Sequence, residues 1–155
     1  MPAVEVGQPA PRFEAVAANG ETVRLADYLG ERSVVLFFYP MDGTSTCTKE
    51  ACAFRDAYED FVEAGAVVIG VSGDSDARHQ SFADRNRLPF VLISDRDGTL
   101  RKMFGVSNTL GLIPKRVTFV IGPEGNVRMA FSAVWVADEH VERALEVVRS
   151  LAKAT

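Results

Sequence analysis

The sequence predicts an α/β fold: one domain over residues 1–155, built on a mixed central sheet with helices on both faces and a β-hairpin at its N-terminal end. Three observations predict it. The β-branched and aromatic runs Ser33 to Tyr39 and Ala66 to Ser72 are too short for helices and read as strands buried on both faces. Longer segments between such runs carry apolar residues at helical spacing. Turn-forming sequences, Asn19-Gly20 and Pro123-Glu124-Gly125, separate short extended stretches.

Taken in order, Arg12 to Leu25 reads as a hairpin across Asn19-Gly20, a dipeptide that tolerates the positive φ angles of a type I′ turn. Leu25 to Leu29 is a helical turn stopped by Gly30, and the strand from Ser33 is ended by Pro40. A polar loop, Met41 to Thr46, leads into a helix from Cys47 to Glu63, where Ala51, Phe54, Tyr58, Phe61 and Val62 recur near helical spacing before Gly65. After the second buried strand, Asp76 to Asn86 is a helix with Asp74 or Ser75 as its cap. Phe90 to Ile93 is a short strand and Thr99 to Phe104 a helical turn. Arg116 to Ile121 and Asn126 to Val134 form a second hairpin, and Asp138 to Ala152 is a closing amphipathic helix. Strand order within the sheet is not legible. The succession of elements fits a thioredoxin-like α/β sandwich.

Composition narrows the function. Apolar residues make up 47% and charged residues 25%, an ordinary globular balance. A net charge of −4 with scattered basic residues, such as Lys115 beside Arg116, gives no electrostatic footprint for nucleic acid. Apolar runs such as Ala64 to Val71 fall short of the ~18 residues that a bilayer span needs. The first residues have neither a basic stretch nor an apolar one, so a cytoplasmic protein without membrane contact is expected. Two cysteines do not make a disulfide framework in that compartment; if they pair, the pairing is catalytic or regulatory. His79 and His140 read as solvent-facing helix residues, and no metal-ligand spacing or cofactor motif is present.

The chemistry concentrates between Pro40 and Cys52. Cys47 stands where a loop following a strand enters a helix, beside first-turn N–H groups that have no intrahelical partner. Those groups and the helix dipole favour an anion by roughly 0.3 to 1 kcal/mol, up to ~2 when partly buried. Since ~1.36 kcal/mol is one pKa unit, the helix end alone moves a thiol by about one unit, and mostly thiolate character at neutral pH needs about two. A cation is required as well. Arg116, at the start of a core strand, is the best candidate; Lys49 and Arg55 are nearer in sequence but point towards solvent.

Nucleophilicity falls as thiol pKa falls, so donors aimed at a departing oxygen are also needed. The Thr44 hydroxyl, the Cys47 amide and the Arg116 guanidinium are of the right kind, and Pro40 can shield the sulfur from water. Cys52 follows five residues later. On one ideal helix that spacing gives ~140° of rotation and roughly 8.6 Å between Cα atoms, too far for a disulfide without unwinding the first turn or two.

Each residue also has a plainer reading. Either cysteine is at home as a small buried hydrophobe. Thr44 suits a cap or turn, Arg116 a surface ion pair, and Glu50 a first-turn acid favoured by the dipole. Trp135, Phe131 and Phe104 read as core, and the apolar loop Thr109 to Ile113 either borders the site or packs on its own domain.

Pro40, Thr44 and Cys47 match the P-x-x-x-T-x-x-C pattern of peroxiredoxins. With Cys52, the preceding Phe-Phe-Tyr-Pro, the run Cys-Thr-Lys-Glu-Ala-Cys and Arg116-Val-Thr-Phe-Val-Ile, nearly the whole chain resembles the bacterioferritin-comigratory, or Q-type, subgroup. The resemblance implies a thiol peroxidase acting on hydrogen peroxide and organic hydroperoxides in antioxidant defence. Cys47 becomes a sulfenic acid, Cys52 resolves it as an intramolecular disulfide, and thioredoxin or a similar dithiol restores both. It also implies active-site roles for Pro40, Thr44 and Arg116, a carboxylate at Glu50 that positions the arginine, no cofactor, and a monomer. Ser45-Thr46 departs from the Pro-Gly found there in many relatives, which bears on loop rigidity. Two rivals remain: a disulfide oxidoreductase, disfavoured by C-x-x-x-x-C spacing, and a non-catalytic redox sensor.

Overall fold

The computed structural model describes residues 4–106, 108–109, 113–114, 116–132 and 137–153. The strands are β1 (Glu14–Val16), β2 (Thr22–Arg24), β3 (Ser33–Phe38), β4 (Ala66–Ser72), β5 (Val91–Ser94), β6 (Asn108–Thr109), β7 (Ile113–Pro114), β8 (Val117–Ile121) and β9 (Val127–Ser132). The helices are α1 (Ser45–Asp56), α2 (Tyr58–Glu63), α3 (Asp76–Asn86), α4 (Thr99–Phe104) and α5 (Ala137–Lys153), with a 3-10 turn at Leu25–Asp27. The bounds expected for α3 and α4 are those observed.

The five-stranded sheet runs β5-β4-β3-β8-β9, parallel from β5 to β3 and antiparallel beyond. All six residues of β3 are buried, as its unbroken apolar run requires. Alternation along it serves two cores. Val34, Leu36 and Phe38 pack with Leu100 and Phe104 of α4 and with the β1–β2 hairpin, while Val35, Phe37 and Tyr39 pack with α1, α2, α3 and α5. Helices therefore cover both faces. The hairpin leans on the sheet edge through an Ala17–Ile93 bridge.

Antiparallel pairing of β8 with β3 positions the site. Val117 lies opposite Phe38, so Arg116 stands at the sheet end where β3 passes into the loop before α1. Residues far apart in the chain thus meet at the start of one helix.

Two local expectations are corrected. The turn at Asn19-Gly20 is not type I′, which needs positive φ at both residues: Gly20 has φ 92°, but among described residues Arg87 is the only non-glycine with positive φ. Asn19 instead accepts the Glu21 N–H on Oδ1 at 3.0 Å within a longer loop that begins after Val16. The helix expected from Cys47 to Glu63 begins at Ser45 and breaks at Ala57 (φ −95°, ψ 5°). The break lets Phe61 turn against Phe54, with ring centroids 5.7 Å apart.

The tail of β9 expected at 133–134, the core position of Trp135, and residues 110–112 of the apolar loop lie outside the described residues. Its ends pair as β6 and β7.

Candidate active site

Thr44 is the N-cap of α1, with extended φ and ψ, which makes Cys47 the third helical residue. Its N–H is one of the first-turn donors left free by helix geometry. Cys47, Glu50, Ala51 and Phe54 form the buried stripe of α1, at spacings of three and four that align them on one face. The stripe is apolar except at Cys47 and Glu50.

Arg116 answers both of them. Its Nη2 donates to Cys47 Sγ at 3.1 Å and its Nη1 to Glu50 Oε1 at 2.5 Å, while the arginine itself is 2% exposed. Burial works against its positive charge, but Glu50 and then Cys47 outweigh that and hold its pKa above the ordinary arginine value. Burial pushes Glu50 up to about 7, against the opposing pull of Arg116. The second carboxylate oxygen, Oε2, has no hydrogen-bond partner among the described residues and lies 3.6 Å from His140 Nδ1 on α5. That nitrogen is 2.8 Å from Thr118 Oγ1 of β8.

Thr44 caps by position but not by side chain: its hydroxyl donates to Met41 O at 3.1 Å, and the residue is exposed. With its hydrogen committed, the hydroxyl offers lone pairs to the site instead of the donor expected. Pro40 is half-buried and follows Tyr39, two residues beyond the end of β3. Cys52 lies on α1 with Cys47, both thiols free, and its Sγ reaches Asn86 Oδ1 of α3 at 3.6 Å. The helix between the cysteines is unbroken, so the wide separation argued from their spacing applies here. Lys49 is exposed; Arg55 is half-buried and donates to Asn86 O at 2.7 Å.

Both histidines depart from expectation. His79 and His140 are fully buried rather than solvent-facing, because each lies on its helix's apolar stripe, with Phe82 and with Ala144 and Val148 respectively. Those stripes were the available signal. His79 Nδ1 meets Asp42 Oδ2 at 2.6 Å and its Nε2 meets Ile93 O at 3.0 Å. Asp42 Oδ1 accepts from Tyr39 at 2.6 Å, and the Asp42 N–H donates to Asp74 Oδ2 at 2.8 Å. Asp42, Asp74 and His79 bring metal-ligand atom types within 4.8 Å, but these atoms are occupied with one another and with Tyr39, Ser72 and Ile93. The network ties the loop before α1 to β4 and α3.

The family described as AhpC/TSA matches residues 6–130. The chloroplastic peroxiredoxin Q of Populus jackii is 41% identical over 149 residues, covering 96% of this chain and 70% of that protein. Peroxidoxin BcpB from Mycobacterium tuberculosis superposes with a TM-score of 0.88 at 37% identity, over 96% of this chain and 98% of that one. The Xanthomonas campestris bacterioferritin comigratory protein, whose structures bear on its alkyl peroxide reduction activity, gives 0.84 at 30% identity over 96% and 99%. With a mixed sheet sandwiched between helices, and a buried cysteine and arginine in contact at the start of α1, the chain belongs to the AhpC/TSA family as a Q-type peroxiredoxin, a thiol peroxidase.

Proposed function

We propose that Cys47 is the peroxidatic cysteine and Cys52 the resolving one, within a single domain spanning residues 1–155. The observation that carries this reading is the contact of the Arg116 guanidinium with Cys47 Sγ at the first turn of α1. The thiolate sulfur attacks the nearer peroxide oxygen, an S–O bond forms, the O–O bond breaks, and the departing alkoxide or hydroxide takes up a proton. Arg116 and the Cys47 N–H stabilise negative charge on the reacting oxygens, Thr44 Oγ1 accepts from the peroxide O–H, and Pro40 limits water at the sulfur. Glu50 holds Arg116 by its Nη1, which leaves Nη2 for the sulfur.

Cys52 then attacks the sulfenic sulfur and expels water. Because the two thiols diverge on an intact helix, this step requires α1 to unwind from its N-terminal end. A thioredoxin-like dithiol returns both cysteines to thiols. Organic hydroperoxides join hydrogen peroxide as substrates, a choice supported by the alkyl peroxide reduction activity of the Xanthomonas campestris relative. The reading includes a monomer in the cytoplasm that binds neither nucleic acid nor membrane; among described residues no helix is long and apolar enough to cross a bilayer.

Peroxide consumption with thioredoxin, thioredoxin reductase and NADPH tests the assignment. Turnover is expected in the native protein and absent in Cys47→Ser. Cys52→Ser is expected to consume one peroxide and accumulate a sulfenic acid that dimedone traps. Sustained turnover in Cys47→Ser, or a normal intramolecular disulfide in Cys52→Ser, contradicts it.

A further inference from the structure

Four ionisable side chains are packed together where α1, β8 and α5 meet: Cys47, Arg116, Glu50 and His140. Arg116 is the permanent cation among them. Its guanidinium touches both Cys47 Sγ and Glu50 Oε1, so one positive charge faces two groups able to carry negative charge. With Cys47 as thiolate and Glu50 as carboxylate, the buried cluster would hold a net negative charge, which a medium of low polarity strongly disfavours. One added proton removes it.

The structure offers two atoms for that proton, and they face each other. Glu50 Oε2 is buried with no hydrogen-bond partner among the described residues, and His140 Nδ1 lies 3.6 Å away. Thr118 Oγ1, 2.8 Å from the same nitrogen, can donate to it or accept from it, so it accommodates either state of the imidazole. Phe131 packs edge-on against the His140 ring, with centroids 4.7 Å apart. Of the further charged groups of α5, Arg143 pairs with Glu139 at 2.9 Å while its guanidinium lies 4.6 Å from the centre of the Phe131 ring, Arg149 pairs with Asp60 of α2 at 3.6 Å, and Asp138, Glu142, Glu146 and Lys153 are exposed. Lys49 on α1 and Glu59 and Glu63 on α2 are directed to solvent. The rise of the Glu50 pKa to about 7 agrees with a carboxyl that retains its proton near neutrality.

The geometry points to a proton shared between Glu50 and His140, held while Cys47 is a thiolate and given up when Cys47 becomes a sulfenic acid, with His140 as a positioning residue acting through Glu50. This rests on the peroxidase reading above. In the oxidation step sulfur loses two electrons to the peroxide, the O–O bond breaks, and the leaving oxygen needs one proton. Once the sulfur is a neutral sulfenic acid, Arg116 faces a single anion and the shared proton is no longer needed for charge balance. The cluster releases one proton as the leaving oxygen gains one. The buried charge is thus balanced both before and after the step.

The test compares the reduced protein with Cys47→Ser, which removes the thiolate with little change of shape; Cys47→Ala serves as a second variant. Infrared spectroscopy follows the protonated carboxyl band of Glu50 across pH, assigned by its loss in Glu50→Gln. Nitrogen NMR follows the His140 ring in the same samples. The Glu50 midpoint is expected to fall by about one pH unit or more in both cysteine variants. The His140 nitrogens are expected to shift with the same midpoint as the carboxyl in the reduced protein. Equal Glu50 midpoints in reduced protein and variants, or His140 signals that stay constant through the carboxyl transition, overturn the proposal. Neither readout requires turnover, so a failure here is distinguishable from failure of the peroxidase reading, which appears as absent peroxide consumption.

Discussion

Asp42 Oδ2 and His79 Nδ1 meet at 2.6 Å, both side chains buried, and the contact fixes the chain two residues before the cap of α1. The remaining polar groups of Asp42 are tied as well: Oδ1 to Tyr39, the N–H to Asp74 and the carbonyl to Arg78 Nη2 at 3.3 Å. Burial, followed by the nearby negative charge of Asp42, raises the Tyr39 pKa well above the usual phenol value, so the phenol remains a donor. Immediately beyond lies Gly43, whose φ of 83° needs a residue without Cβ. Asp42 is an anchor and Gly43 the first place where the chain can pivot.

Unwinding of α1 on disulfide formation should therefore stop at that anchor. Amide exchange in the oxidised protein should accelerate across residues 44 to 52 while the Asp42 N–H keeps its protection. Asp42→Asn, which weakens bonds to a charged acceptor worth about 1.5–3 kcal/mol each, should extend the exchanging segment towards residue 40. Equal protection of 44 to 52 in both redox states would contradict the unwinding itself.

Arg116→Lys retains the charge but not the fork that reaches Cys47 and Glu50 together. Losing a preorganised donor at a developing anion typically lowers the rate about 100- to 1,000-fold. Stopped-flow oxidation of the reduced variant by stoichiometric peroxide should fall in that range, with resolution by Cys52 little changed. An undiminished oxidation rate would remove Arg116 from the reaction.

Glu50 makes stability depend on pH with a definite sign. Its folded-state pKa of about 7 lies above the ordinary value of 4.5, so the folded chain binds the proton more tightly than the unfolded chain. The stability linked to this proton is complete below about pH 4.5 and is lost as pH rises through about 7, a change of order 3 kcal/mol for a shift of this size. Urea unfolding from pH 5 to 8 should show a decline in the native protein that is flattened in Glu50→Gln. Parallel curves would show that Glu50 titrates alike in both states.

Gly70 in β4 leaves room for the Phe37 ring. A Cβ there would stand 2.8 Å from Phe37 Cζ and 2.7 Å from Leu92 Cδ2. Phe37 in turn stacks on Phe54 of α1 with centroids 4.4 Å apart. Gly70→Ala should cost about 1–3 kcal/mol by overpacking and should slow peroxide oxidation through the displaced α1. A denaturation midpoint within error of the native one would mean that the sheet absorbs the methyl group.

Local information was sufficient for much of this protein. β-branched and aromatic runs marked β3 and β4, cap chemistry at Asp74 or Ser75 placed the start of α3 with the structure selecting Ser75, and the loop-to-helix position of Cys47 made it the candidate reactive thiol. The spacing of Cys47 and Cys52 alone required their separation, because helix geometry depends only on the count of residues between them. The same reasoning misjudged His79 and His140, since a polar side chain on a helix declares no partner; Asp42 and Thr118 supply those partners from segments 37 and 22 residues away. Thr44 likewise declared its position but not where its hydroxyl would donate. The sequence determined the candidate residues for the chemistry, Cys47, Cys52, Thr44 and Arg116 among them. Only the tertiary structure, by pairing β8 antiparallel to β3 and laying α5 across α1, decided that Arg116, Glu50 and His140 share one buried site, because the charge state of a buried group depends on neighbours that no local pattern contains.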